Sequence, residues 1–149
     1  MKIRIKEVEK SLIEEFSKGL WREFADESGM LLDEESFCFV VHNKDEEIGY
    51  LHIKVTLGVA YLEDMILKSE FRNKKIGHQM MEFFENFAEN KGCHKMRIKT
   101  CPETNQAAYH LYKKFGFKQE AILKNDYFNK DWVILSKYTK HKQEKSESK

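Results

Sequence analysis

"LEDMILKSEFRNKKIG", residues 62 to 77, runs from an apolar, strand-like stretch through a basic turn into a helical pattern. Behind it Ile76, Met80, Phe83, Phe84 and Phe87 recur at helical spacing, which predicts a core-facing helix from near Lys74 to near Gly92. Such a helix aims its unsatisfied first amides and the positive end of its dipole at the preceding turn, which suits a pyrophosphate. Gly77 lets an anion approach the backbone with no Cβ in the way. Lys75, however, stands where a phosphate loop usually has a second glycine. Taken alone, the stretch reads as an ordinary basic helix start.

The segments on either side build a sheet around this turn. "MKIRIKEVE" alternates Met1, Ile3 and Ile5 against Lys2, Arg4 and Lys6, predicting a half-buried strand. Ser11 and Glu14 form a capping-box pattern, Leu12, Phe16, Leu20 and Phe24 follow at helical spacing, and Gly29 is a natural stop. Phe37 to Val41 and "IGYLHIKVTL" read as strands joined by the turn "HNKDEE", and "VAYLEDMIL" is a third strand after Gly58. Alternation along that strand puts Glu63 and Asp64 on opposite faces, and Glu63 on the face of Met65 and Leu67. "CHKMRIKTC" is again strand-like, "NQAAYHLYKKFG" a short helix with Thr104 as candidate N-cap and Gly116 as C′, and "FKQEAIL" and "DWVILSKY" two closing strands. This order predicts one α/β (α+β) domain with a mixed sheet over residues 1–140, followed by a disordered tail at 141–149 that has no apolar residue to bury.

Composition narrows the partners. The 149 residues fit one domain with a real core, and 26 Lys plus Arg against 25 Asp plus Glu leave no charge argument for nucleic acid. Cys38, Cys93 and Cys101 match neither a disulfide framework nor a zinc pattern, which suggests a reducing, cytoplasmic setting. No run approaches the roughly 18 apolar residues of a membrane span, and the N-terminus does not read as a signal peptide. The six histidines show no ligand spacing, so no metal is expected.

Two ordered motifs carry the function. "RNKKIG" at 72–77 is followed about thirty residues later by "NQAAYHLYKKFGF" at 105–117. Together they resemble the GNAT superfamily of acetyl-coenzyme A-dependent N-acetyltransferases, over roughly residues 1–140. The family's coenzyme loop, Arg/Gln-x-x-Gly-x-Gly/Ala, is matched except at Lys75. Its later segment, Asn-x-x-Ala-x-x-Leu-Tyr-x-Lys-x-Gly-Phe, is met in full by Asn105, Ala108, Leu111, Tyr112, Lys114, Gly116 and Phe117. The resemblance implies the GNAT fold, a mainly antiparallel sheet of six to seven strands flanked by helices.

It also implies a site. The amides of Asn73, Lys74, Lys75, Ile76, Gly77 and His78 would grip the coenzyme pyrophosphate, with Arg72 adding charge and Lys75 expected to conform to the helix. Met65, Ile66 and Leu67 would pair with the pantetheine arm as an extra strand would, the Leu67 amide serving the thioester oxyanion. Tyr112 would protonate the departing thiolate, whose conjugate acid lies near a pKa of about 8.5; its plainer reading is a core tyrosine. Asn105 would order coenzyme or backbone at its helix start, and Lys114 is either a phosphate contact or an exposed lysine. Glu63 is the candidate base for an amine of pKa about 10, directly or through water, or else a substrate-binding or exposed carboxylate. The implied acceptor is a small-molecule or protein amine, and "YLEDMILKSEFR" looks somewhat like polyamine and diamine acetyltransferases. Homodimers are common in the family, though no residue marks an interface. The alternative is a non-catalytic acyl-coenzyme A binding or sensing module, which the departure at Lys75 leaves open.

Overall fold

The computed structural model describes residues 3–29 and 33–140, in two compact units, Met1–Asp33 and Glu34–Lys149. In the first unit residues 3–9 form no strand, contrary to the alternation, and Ile3 and Ile5 are exposed. A period-two segment becomes a strand only when a neighbouring edge supplies its hydrogen bonds, and the described residues of this unit hold no other strand. Met1 and Lys2 of the same segment, and the expected tail at 141–149, lie outside the described residues. A 3-10 turn over Lys10–Ile13 leads into helix α1, Glu14–Ser28, which Gly29 closes in the left-handed conformation at φ 69°. The capping box does not form. Ser11 falls inside the 3-10 turn, so the helix N-cap is Ile13, which makes no side-chain cap. Leu12, Phe16, Leu20 and Phe24 are exposed, since a single amphipathic helix offers its own unit no second layer.

The second unit follows the predicted order of three strands, helix, strand, helix, two strands. The elements are β1 (Glu34–Asn43), β2 (Glu46–Thr56), β3 (Val59–Leu67), α2 (Ile76–Asn90), β4 (Lys95–Thr100), α3 (Gln106–Lys114), β5 (Lys118–Leu123) and β6 (Trp132–Tyr138). They make a six-stranded sheet of order β1-β2-β3-β4-β6-β5, parallel between β3 and β4 and antiparallel elsewhere. Helix α2 buries Met80, Met81, Phe84 and Ala88 on one face of this sheet. That face supplies Leu51, Ile53, Ala60, Leu62, Met96, Ile98 and Leu135 to the same core, and α3 adds Tyr112. Strand alternation then places His52, Lys54, Tyr61, Lys95, Arg97, Lys99 and Ser136 on the face away from α2.

Two irregularities position the site. Strands β3 and β4 are paired only over Val59–Leu62 against Lys95–Ile98. Beyond that point β4 stays with β6 through Thr100, while β3 stays with β2 through Leu67, so the two parallel strands part. In the β2–β3 ladder His52 faces Asp64 and Ile53 faces Leu62, which leaves Glu63 as a bulge residue with no partner opposite. The extra residue shifts the alternation: Ala60 and Leu62 face the core before the bulge, Met65 and Leu67 after it.

Gly49 holds β2 close to the parted end of β3. A Cβ built there lies 2.4 Å from the Ile66 carbonyl oxygen and 2.8 Å from Leu67 Cδ2. Gly49→Ala is expected to destabilise the protein by about 1–3 kcal/mol, read from urea unfolding at unchanged m-value. An unchanged midpoint would mean that the two strands can separate there at no cost.

Candidate active site

Ladder phase decides where the backbone of β3 points. Lys68 N–H donates to the Ile48 carbonyl at 2.8 Å, and Gly49 faces Leu67 in the register. In an antiparallel ladder this makes Gly49–Leu67 a non-hydrogen-bonded pair, so Ile66 bonds across to β2 while Met65 and Leu67 turn their amides the other way. The other way is the gap where β4 has departed. Of the three residues expected to pair as an extra strand would, Met65 and Leu67 thus have amides that face the gap; Ile66, half exposed on the face away from α2, uses its backbone within the sheet.

The turn that follows is built from left-handed residues. Asn73 lies at φ 59° and Lys75 at φ 60°, ψ 11°, so helix α2 starts at Ile76 rather than Lys74. Lys75 therefore does not conform to the helix. It takes the backbone conformation that glycine favours, at a cost of roughly 1–2 kcal/mol for an L-residue, while its side chain is exposed. Asparagine tolerates that region better, which accounts for Asn73. From Asn73 to His78 no backbone amide donates to any described residue, and the first paired amide is Gln79, to the Lys75 carbonyl at 3.3 Å. A run of free amides on alternating left-handed residues at a helix start is an anion-binding nest. Arg72 fastens it to the strand: its Nε donates to the Leu67 carbonyl at 3.2 Å. Lys74 lies over the Phe71 ring at 5.3 Å, and exposed His78 packs on Phe115, with centroids 4.6 Å apart.

Gly77 serves a second need. A Cβ there would meet Leu111 Cδ2 at 3.3 Å, so the glycine also admits helix α3 against the start of α2. This brings the helix of Tyr112 to the turn. Tyr112 is 6% exposed, and its phenol hydroxyl makes no hydrogen bond to any described residue. Burial pushes its phenol up to about 12, so it holds its proton throughout the neutral range. The helix N-cap is Asn105, not Thr104; Asn105 makes no side-chain cap and is exposed, its amide held by the Cys101 carbonyl at 2.9 Å. Thr104 is bonded instead to the Cys101 thiol, which that contact holds below the usual thiol range. Lys114 is exposed on the last turn of α3, at the opposite end from Asn105.

Glu63 is arranged differently from the alternation. Its carboxylate lies 3.0 Å from Lys54 Nζ, and Asp64 lies 3.5 Å from His52 Nδ1. Lys54 and His52 both face away from α2, so the bulge puts Glu63 and Asp64 on one face, opposite Met65. The Glu63 hydrogen bond raises the Lys54 ammonium above its ordinary pKa. The same face carries Lys99, 2.6 Å from Asp126 and 3.6 Å from the Tyr127 ring centroid. Lys54 was legible as the alternation partner of Ile53; Asp126 and Tyr127 come from the β5–β6 loop, which no motif connects to Lys99. Two cavities, of about 630 and 690 Å³, flank β1 and β2. Lys74 lines one and Arg72 the other, but neither reaches Tyr112, Glu63 or Asn105, so the parted strands rather than these hollows define the site.

The strain at Lys75 is testable. Lys75→Gly is expected to raise stability by about 0.5–1 kcal/mol, the relieved strain being partly offset by the entropy of glycine in the unfolded chain. A fall in the urea midpoint would show instead that the lysine side chain stabilises the turn.

The chain is similar to known proteins in sequence and in fold. A glucosamine 6-phosphate N-acetyltransferase from Arabidopsis thaliana is 30% identical over 69 residues, covering 46% of this chain and 44% of that protein. A spermidine N(1)-acetyltransferase from Thermoplasma acidophilum is 30% identical over 91 residues, covering 61% and 53%. The chain thus spans about half the length of these curated relatives. The crystal structure of an acetyltransferase from Bacillus cereus shares the fold, with a TM-score of 0.73 at 17% identity over 91% of this chain and 97% of that one. The sequence pattern of the acetyltransferase (GNAT) family matches residues 4–117, which contain the parted strands, the nest and Tyr112, and the chain belongs to that family.

Proposed function

We propose that this protein is an acetyl-coenzyme A-dependent N-acetyltransferase that passes the acetyl group directly to a primary amine within a ternary complex. The observation that carries this reading is the run of free amides from Asn73 to His78, set at the end of a strand whose Met65 and Leu67 amides face the gap beside it. An extended donor with a pyrophosphate at one end and an amide-rich arm at the other matches that track, without need of a deep pocket.

The chemistry follows from the groups at hand. The amine nitrogen attacks the thioester carbonyl carbon, and the developing oxyanion is met by the Leu67 amide. The carbon–sulfur bond then breaks and the thiolate takes the Tyr112 proton; a phenol held up to about 12 stays protonated until that moment. The amine must shed a proton before attack, and Glu63, on the bulge where the strands part, accepts it directly or through water. Lys54 keeps that carboxylate in place at 3.0 Å. Asn105 orders the start of α3, and Lys114 stays available to an outlying phosphate. The relatives named above act on an amino-sugar phosphate and a polyamine, which supports an amine acceptor here. No described helix is long and apolar enough to cross a membrane, in keeping with a cytoplasmic enzyme; pairing into a homodimer belongs to the same reading.

Release of free thiol from acetyl-coenzyme A, measured across a panel of amines, tests the proposal. Coenzyme binding without release on any amine would favour an acyl-coenzyme A sensor. Tyr112→Phe is expected to lower kcat about 10²-fold or more with little change in coenzyme affinity. Because the phenol titrates at about 12, that factor stays constant from pH 7 to about 10; a deficit that vanishes within this range would remove Tyr112 as the acid. Glu63→Gln is expected to abolish the acid limb of the pH–rate profile, and an unaltered limb would exclude Glu63 as base.

A further inference from the structure

The face of the sheet away from α2 carries four cations on β2 and β4, and three are neutralised in place. Lys54 lies 3.0 Å from Glu63, Lys95 2.6 Å from Glu120, and Lys99 2.6 Å from Asp126. Asp126 Oδ2 lacks a well-angled hydrogen bond, yet it has its lysine. Arg97, between Lys95 and Lys99 on β4, has no such partner. It is half-buried, its Nε is fully buried, and its side chain makes no hydrogen bond or ion pair with any described residue. Glu120 is near enough to feel its charge but is held by Lys95 and by the Ser136 hydroxyl at 2.6 Å. A guanidinium with a desolvated, unpartnered N–H is costly to keep, and its planar fork of donors fits a carboxylate or phosphate.

Its place in the register ties it to the reaction. Arg97 faces Tyr61 on β3, and Tyr61 faces Lys54 on β2, so Arg97 lies two strands, roughly 10 Å, from the lysine that holds Glu63. Glu63 itself is two residues further along β3, where the strands part. The nest begins beyond Leu67, six residues along β3 from Tyr61 or roughly 20 Å, so Arg97 is not placed to bind the pyrophosphate held there. Burial, then the Glu63 charge, raises the Tyr61 phenol, leaving a protonated hydroxyl beside the guanidinium in register.

We propose that Arg97 determines acceptor specificity by binding an oxyanion group, carboxylate or phosphate, on the acceptor while Glu63 receives its amine. The acceptor is then a small primary amine with an acidic group a few bonds away. This rests on the N-acetyltransferase reading. The test compares matched amines, ethanolamine with O-phosphoethanolamine and 4-aminobutyramide with 4-aminobutyrate, in the thiol-release assay. Wild type is expected to favour an anionic member by at least about tenfold in kcat/KM, and the two pairs separate phosphate from carboxylate. Arg97→Gln is expected to erase that preference through KM, leaving kcat for the neutral amines and coenzyme affinity unchanged, and Arg97→Lys to restore part of it. Equal use of both members, or a preference that survives Arg97→Gln, overturns the inference while leaving the acetyltransferase reading intact. Calorimetric binding of O-phosphoethanolamine and 4-aminobutyrate to the coenzyme A-bound protein gives a readout independent of turnover. Binding of either that is lost in Arg97→Gln supports the inference; no binding of either to wild type overturns it. Absence of thiol release with every amine counts against the acetyltransferase reading alone.

Discussion

The parting of β3 from β4 is the constraint on which the site depends. Two parallel strands satisfy each other's backbone over Val59–Leu62 and Lys95–Ile98, and then each keeps only its antiparallel neighbour. Every amide that β3 would have given to β4 beyond that point is left facing a gap. Buried backbone donors are seldom left without acceptors, so such a gap is a place for an extended ligand. The bulge at Glu63 occurs at the same point. It shifts the alternation by one residue, keeping Met65 and Leu67 on the core while turning Glu63 and Asp64 together to the other face. One irregularity thus separates the backbone amides that face the gap from the acidic side chains.

The turn after β3 continues this separation. Its amides are free because Asn73 and Lys75 take left-handed conformations, which a regular helix start would not require. Strain at a non-glycine residue persists where surrounding contacts hold it. Here the Arg72–Leu67 bond anchors one side of the turn, and the approach of Leu111 to Gly77 anchors the other. The same approach brings α3, and with it Tyr112, to the α2 face of the sheet. Tyr112 is both a core residue and the candidate acid, and the two roles agree: the packing that buries the ring raises its pKa and keeps the proton available.

What the chain reveals in advance is what local pattern determines. The strands from Phe37 onward and both helices of the second unit follow from periodicity and punctuation within each segment, and the Asn105–Phe117 motif from its resemblance to the family. The capping box at Ser11 and the strand at residues 3–9 misled because both depend on neighbours: a 3-10 turn displaced the cap, and no edge among the described residues of the first unit supplies a ladder. Lys75 misled for a related reason. Backbone φ at one residue is set by the geometry of entry into α2, and a lysine carries no sign that it will sit where glycine is easier. Glu63 was legible as a residue of interest but not in direction, because one bulge reverses every inference from alternation beyond it. The Lys99–Asp126 contact joins residues far apart in sequence and has no local signature.

Electrostatics gives the two faces of the sheet different chemistry. On the α2 side the unpaired polar groups are the backbone amides at the gap and at the turn before α2, together with the buried Tyr112 phenol. On the other side Lys54, Lys95 and Lys99 are each matched to a carboxylate. Matched pairs are poor at binding a further charge, since any ion that enters must displace a partner already at 2.6–3.0 Å. Discrimination on such a face therefore falls to whichever charge is left unmatched. Among the described residues of β2 and β4 that is Arg97, and it lies one strand from Glu63, the candidate base.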